Sequence, residues 1–109
     1  MASAGRGPVL AILTGLACTA PARGDYQRTM DALTRGLPPD ASALVYRIAD
    51  CNHWGGEEPY DDARKAEIEK AMNQLDCNGL SRDEASLRRR YAADRLVLDA
   101  FDRAHKVGE

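Results

Sequence analysis

The sequence predicts an all-α protein: a small bundle of about four to five short helices stapled by one disulfide. Three observations carry that reading. Apolar residues recur at spacings of three and four from Tyr26 to Ala104, and no alternating pattern competes with them. Proline, glycine and Asn-Gly punctuation cuts this pattern into short segments. Cys51 and Cys77 remain as a single pair once an N-terminal export segment is set aside.

The export segment is residues 1–22. Its opening carries Arg6 and no acid, and Val9 to Ala17 (VLAILTGLA) is an uncharged run of nine residues. A membrane span takes about 20 apolar residues, so this run suits the hydrophobic stretch of a signal peptide instead. Ala20-Pro21-Ala22 places small residues before a cut at Arg23. A buried N-terminal helix is the competing structure, and Pro21 and Gly24 break its pattern at once. A second cut lies at Cys18, because Leu16-Ala17-Cys18 resembles the end of a bacterial lipobox. Gly15 stands where a branched aliphatic belongs, so the small-residue site is preferred and a soluble product is expected. Either cut sends the chain to the periplasm or beyond, with a lipid anchor in the envelope only if Cys18 is used. Either also removes Cys18 as a free thiol. Cys51 and Cys77 then face an oxidising compartment, where one pair makes one bridge.

Residues 23–109 are enough for one small domain. Removing the leader removes one charge, Arg6, and takes the net charge from −2 to −3. A mildly acidic surface with both signs mixed excludes a nucleic-acid footprint. With one Phe and one Trp, the core must come from aliphatic residues, Ala and Tyr. Domains this small have little core to spare. A disulfide closing a loop of this length is worth about 3 to 4 kcal/mol in the chain-entropy model. That is a large share of a marginal stability.

The elements follow in order. Tyr26, Met30, Leu33 and Leu37 form one helical face, ended by Gly36 and Pro38-Pro39. Asp40 can cap a second helix whose inner face is Leu44, Ile48 and Cys51. Asn52 to Pro59 (NHWGGEEP) reads as the one irregular stretch longer than a turn. A third helix begins near Asp61, with Asp61 and Asp62 at its positive end and a stripe of Ile68, Met72 and Leu75. Its outer face offers Asp61/Lys65 and Glu67/Lys70 pairs. Asn78-Gly79 stops it, with Gly79 available for a left-handed cap. Ser81-x-x-Glu84 reads as a capping box opening a fourth helix through Leu87 and Tyr91. Asp94 caps a fifth built on Val97, Phe101 and Ala104, with Asp99/Arg103 and Asp102/Lys106 on its surface.

The disulfide adds a geometric demand, because a bridge needs its Cα atoms within about 7 Å. A third helix from Asp61 to Asp76 rises about 24 Å. The loop 52–59 reaches about 26 Å when nearly extended. The expected arrangement is therefore a loop strapped along the third helix, with Trp54 and Tyr60 as its apolar underside. Gly55-Gly56 would mark a turn or a close backbone approach.

No residue set forms a catalytic signature. His53, Glu57, Glu58, Asp61 and Asp62 make the densest polar cluster, but their spacing matches no zinc pattern and no second His is near. A hydrated loop followed by helix-N-terminal acids explains them more simply. Adjacent Glu57 and Glu58 cannot easily face one substrate for acid–base work. Aligning a calcium loop on Gly79 puts Gln74 and Ala85 where ligands are required. Arg88-Arg89-Arg90 point in three directions on a helix, and Arg88 is placed to pair with Glu84. Cys51 and Cys77 are not a redox C-x-x-C, and His105 near a helix C-terminus needs no further role. No cofactor is called for.

The segment Cys51-Asn52-His53-Trp54-Gly55-Gly56-Glu57-Glu58-Pro59-Tyr60, with the second cysteine and the Arg-rich helix, resembles short exported proteins of Gram-negative bacteria. That resemblance implies an envelope location and supplies no activity. The function expected is non-catalytic binding of another envelope or secreted protein, in an inhibitor or immunity-like role. Trp54, Glu57, Glu58 and Tyr60 would form the contact surface. The alternative is a metal-binding or hydrolytic protein centred on His53 and Glu57/Glu58.

Overall fold

A computed structural model describes residues 22–107. The expected export segment and the lipidation site at Cys18 lie outside the described residues, apart from Ala22, which opens the first helix. Five α-helices follow: α1 Ala22–Thr34, α2 Pro39–Gly55, α3 Asp62–Gln74, α4 Leu80–Arg90 and α5 Arg95–Ala104. A single 3-10 turn, Cys77–Gly79, joins α3 to α4. No strand occurs among the described residues, and Cys51 and Cys77 are bridged with their Cα atoms 5.7 Å apart. The all-α, disulfide-stapled class is the one the sequence predicts.

The fold is organised around α2, which touches each of the other four helices. Its buried stripe of Ala41, Leu44, Val45, Ile48 and Ala49 meets Met30 of α1 and Val97, Ala100, Phe101 and Ala104 of α5. Leu80, Leu87 and Tyr91 pack against this core from the α4 side. The helix periodicity of the sequence thus translates directly into the core. Asp94 accepts from the Val97 N–H at 3.3 Å and Asp61 from the Arg64 N–H at 2.7 Å, both as N-caps.

Several local expectations are corrected. Asp40 does not cap α2. Pro38 holds that position with Pro39 as the first helical residue, whose fixed φ and missing N–H suit a helix start. Asp40 lies inside the first turn, where its carboxylate accepts from Tyr91 Oη and from Arg90 Nη1, both at 2.6 Å. It therefore ties the start of α2 to the end of α4. The Tyr91 hydrogen bond, outweighing a desolvation that opposes it, holds the Asp40 carboxyl below its ordinary range. Gly79 is not the left-handed residue. Asp76 takes that conformation, with φ of 51°, which an aspartate tolerates better than most side chains. The capping box does not form either, because the 3-10 turn feeds straight into α4. The Leu80 N–H donates to Cys77 O, Gly79 takes the N-cap position, and Ser81 falls in the helix's first turn. Glu84 instead holds Arg88 at 2.8 Å and His105 Nε2 at 2.8 Å. Asp102 and Glu67 pair with Arg88 and Arg64 respectively.

The predicted loop 52–59 is shorter than expected, since α2 continues to Gly55. Asn, His and Gly are weak helix formers, but tertiary contacts outweigh propensity here. The Asn52 amide donates to Val107 O at 2.9 Å and to His105 O at 3.3 Å, closing the end of α5. Pairings between α2 and α3 run in opposite directions: Arg47 meets Leu75 and Asp76, whereas Trp54 and Glu57 meet Arg64. An antiparallel pairing of this kind brings Cys51 to Cys77 without an extended strap. Gly55 and Gly56 mark no close backbone approach, since a Cβ at either would find ordinary contacts of 4.0 and 3.6 Å.

Candidate functional site

The stretch from His53 to Asp62 sits where α2 turns into α3, and one residue organises it. Arg64, in the first turn of α3, is largely buried. Its Nη2 donates to Glu57 Oε1 at 2.5 Å and its Nη1 to Glu67 Oε1 at 2.6 Å. Its guanidinium lies 5.4 Å from the centroid of the Trp54 ring, within reach of a cation–π interaction. The Glu67 hydrogen bond raises the Arg64 pKa above its usual value against a desolvation that acts the other way. The backbone N–H of the same residue is received by Asp61 Oδ1. Arg64 therefore fixes the connecting loop at both ends, through Glu57 with its side chain and through Asp61 with its backbone.

This clamp divides the four predicted contact residues into two groups. Trp54 and Glu57 face α3 and are partly buried; they hold the hairpin together. Glu58 and Tyr60 project between the clamped ends, with Tyr60 77% exposed. Tyr60 is thus not the underside of a strap, as its sequence position suggested. A loop this short, with both ends fixed, turns its middle outward.

His53 stacks edge-on against Trp54 with centroids 5.5 Å apart, and its Nε2 lies 3.8 Å from Glu57 Oε1. Arg64 already engages that carboxylate, so His53 and Glu57 do not form a free acid–base pair. Among the described residues, no three His, Cys, Asp or Glu side chains come together to hold a metal ion. A shallow groove of about 470 Å³ between α1 and α5 is lined by Tyr26, Leu33 and Val107 with Asp25, Arg103 and Lys106.

The sequence reading missed Arg64 and Arg47. Arg47 Nε donates to Leu75 O at 2.7 Å and its Nη2 to Asp76 O at 2.9 Å, while its Nη1 contacts Asp83 at 2.9 Å. It satisfies carbonyls that the end of α3 leaves unpaired. The signal was present: Arg47 and Cys51 are four apart on α2, so whatever meets Cys51 must also meet Arg47.

Compared with known proteins, the chain matches no family model, no curated protein and no solved structure. No helix among the described residues is long and apolar enough to cross a membrane.

Proposed function

We propose that this chain is a small exported, disulfide-stapled helical protein that acts without catalysis, by binding another envelope or secreted protein through the loop Glu58 to Asp61 and the first residue of α3, Asp62. One observation carries the reading: an exposed tyrosine stands on a short loop whose two ends are held by the same partly buried arginine. Tyrosine is enriched at interface hot spots, and a loop already ordered before binding loses little entropy on contact. Glu58 and Asp62 beside it are exposed carboxylates, so the complementary partner surface is cationic with an apolar recess for the ring. A basic secreted enzyme held in check by this protein is the concrete form. The single disulfide and the N-terminal sequence pattern support an oxidising location outside the cytoplasm.

Pull-down from periplasmic extract tests the assignment, with Tyr60→Ala as the decisive control. Its side chain makes little contact with the fold, so the variant remains folded and loses the captured partner. Trp54→Ala is the poorer probe, because it strips a ring from under Arg64. Identical partner lists for wild type and Tyr60→Ala would remove the loop from consideration.

A further inference from the structure

The bridge between Cys51 and Cys77 encloses the loop and the whole of α3, a segment that lies along α2 but adds little fully buried apolar surface to the bundle. Ile68 is the one buried residue of α3, and it lies outside the main core. Ala71, Met72 and Leu75 are only partly buried, with the Met72 methyl near Gly55, and the remaining attachments are polar: Arg47 on the carbonyls at its end, and Arg64 at its start. The core of α1, α2 and α5 includes neither cysteine. We infer that the disulfide is a redox latch: its reduction frees α3 together with the loop 56–61 as one unit, and leaves the α1–α2–α5 core folded. Proteins open locally in contiguous units, and the units with few buried apolar contacts open first.

The chemistry balances with a dithiol as reductant. Cys77 is the less buried of the two cysteines, so one reductant thiolate attacks its sulfur and Cys51 leaves as thiolate. The reductant's second thiol then attacks its own mixed disulfide, releasing Cys77 as thiolate and closing a cyclic disulfide. Two electrons pass to the protein, and each cysteine thiolate takes up a proton. The regulatory consequence rests on the proposed loop interface: an exported binder would lose its ordered Tyr60 loop wherever a dithiol reductant reaches it.

Hydrogen exchange followed by mass spectrometry tests the latch on the full chain, oxidised and after dithiothreitol, with no partner present. Amides of α3 around Ile68 to Met72 are expected to exchange between about tenfold and a few hundredfold faster after reduction. Those around Val45, Ile48, Val97 and Phe101 should change by less than about twofold. Cys51→Ala/Cys77→Ala without reductant should show the same pattern, which separates loss of the bridge from any other effect of the reagent. Unchanged α3 protection would mean that Arg47, Arg64 and Ile68 suffice, and would overturn the proposal. Equal loss across α5 would overturn it too, by showing that the staple supports the whole fold. Because no partner enters the measurement, its outcome is independent of whether Tyr60 binds anything.

Discussion

α5 and α3 are short helices of similar length that pack against the same central helix, and they are held by different physics. α5 places Val97, Ala100, Phe101 and Ala104 in the core, and polar contacts through Asp102 and the carbonyls past its end supplement that packing. α3 fully buries Ile68 alone, with Ala71 and Met72 half-buried, and is secured by a covalent bridge at one end, with guanidinium groups at both. The comparison teaches how a chain poor in large apolar residues can still fix a fifth helix. Where buried area runs out, directional contacts and a cross-link take over. Such contacts break one at a time, whereas a packed core yields only as a whole.

The largest test of this contrast is Phe101→Ala. The ring is fully buried and lies under Arg88, 5.5 Å from its guanidinium. Its removal should cost about 3 to 5 kcal/mol, read as a lowered urea midpoint for the whole molecule. Ile68→Ala should cost about 2 kcal/mol, and the loss should appear as faster exchange in α3 before any shift in the global midpoint. A single concerted loss for both variants would erase the distinction between the helices. Asp61→Ala removes the N-cap of α3 and should cost about 1 kcal/mol; proteolysis near Arg64 and Lys65 is the sensitive readout.

The smallest effect is an acid one. Arg47 donates to Asp83 and, outweighing a desolvation that acts against it, holds that carboxyl below the usual 3.8. A depressed carboxylate contributes its stability above its unfolded pKa and loses it as pH falls through the lower folded value. Below about pH 4, then, the Arg47 end of α3 should loosen while α5 stays in place. Amide shifts of Leu75 and Asp76 in an NMR titration report this, against Val97 and Phe101 as references. Asp83→Asn should flatten the response, and an unaltered titration in that variant would assign it to another group.

The same contrast decides what could be read from the sequence. The inner face of α5 was legible, from its Asp94 cap to Val97, Phe101 and Ala104, because apolar periodicity is a property of one element; the pairing of Asp102 with Arg88 of α4 was not. The pairing of Cys51 with Cys77 was legible once Cys18 was set aside with the expected export segment. The outward turn of Tyr60 was not, since it follows from Arg64 closing the loop at both ends. The last turn of α2 was hidden for a related reason. Asn52 and Trp54 are helical because of what they touch on α5 and α3, and Asn-His-Trp-Gly-Gly by itself resembles a loop. Sequence alone favours Gly79 for the left-handed site, because glycine tolerates that conformation more readily, but Asp76 takes it and the chain uses Gly79 at the buried 3-10 turn.

The sole tryptophan of the chain, Trp54, lies against the start of α3 and outside the apolar core. Its emission is therefore a gauge of one docking event, whereas far-ultraviolet circular dichroism sums over every helix, α1 to α5 included. In a protein that unfolds in one step the two signals superimpose. Here the indole should report the departure of α3 ahead of the loss of ellipticity, so a cuvette and two wavelengths would suffice to see the seam between the stapled and the packed parts of the molecule.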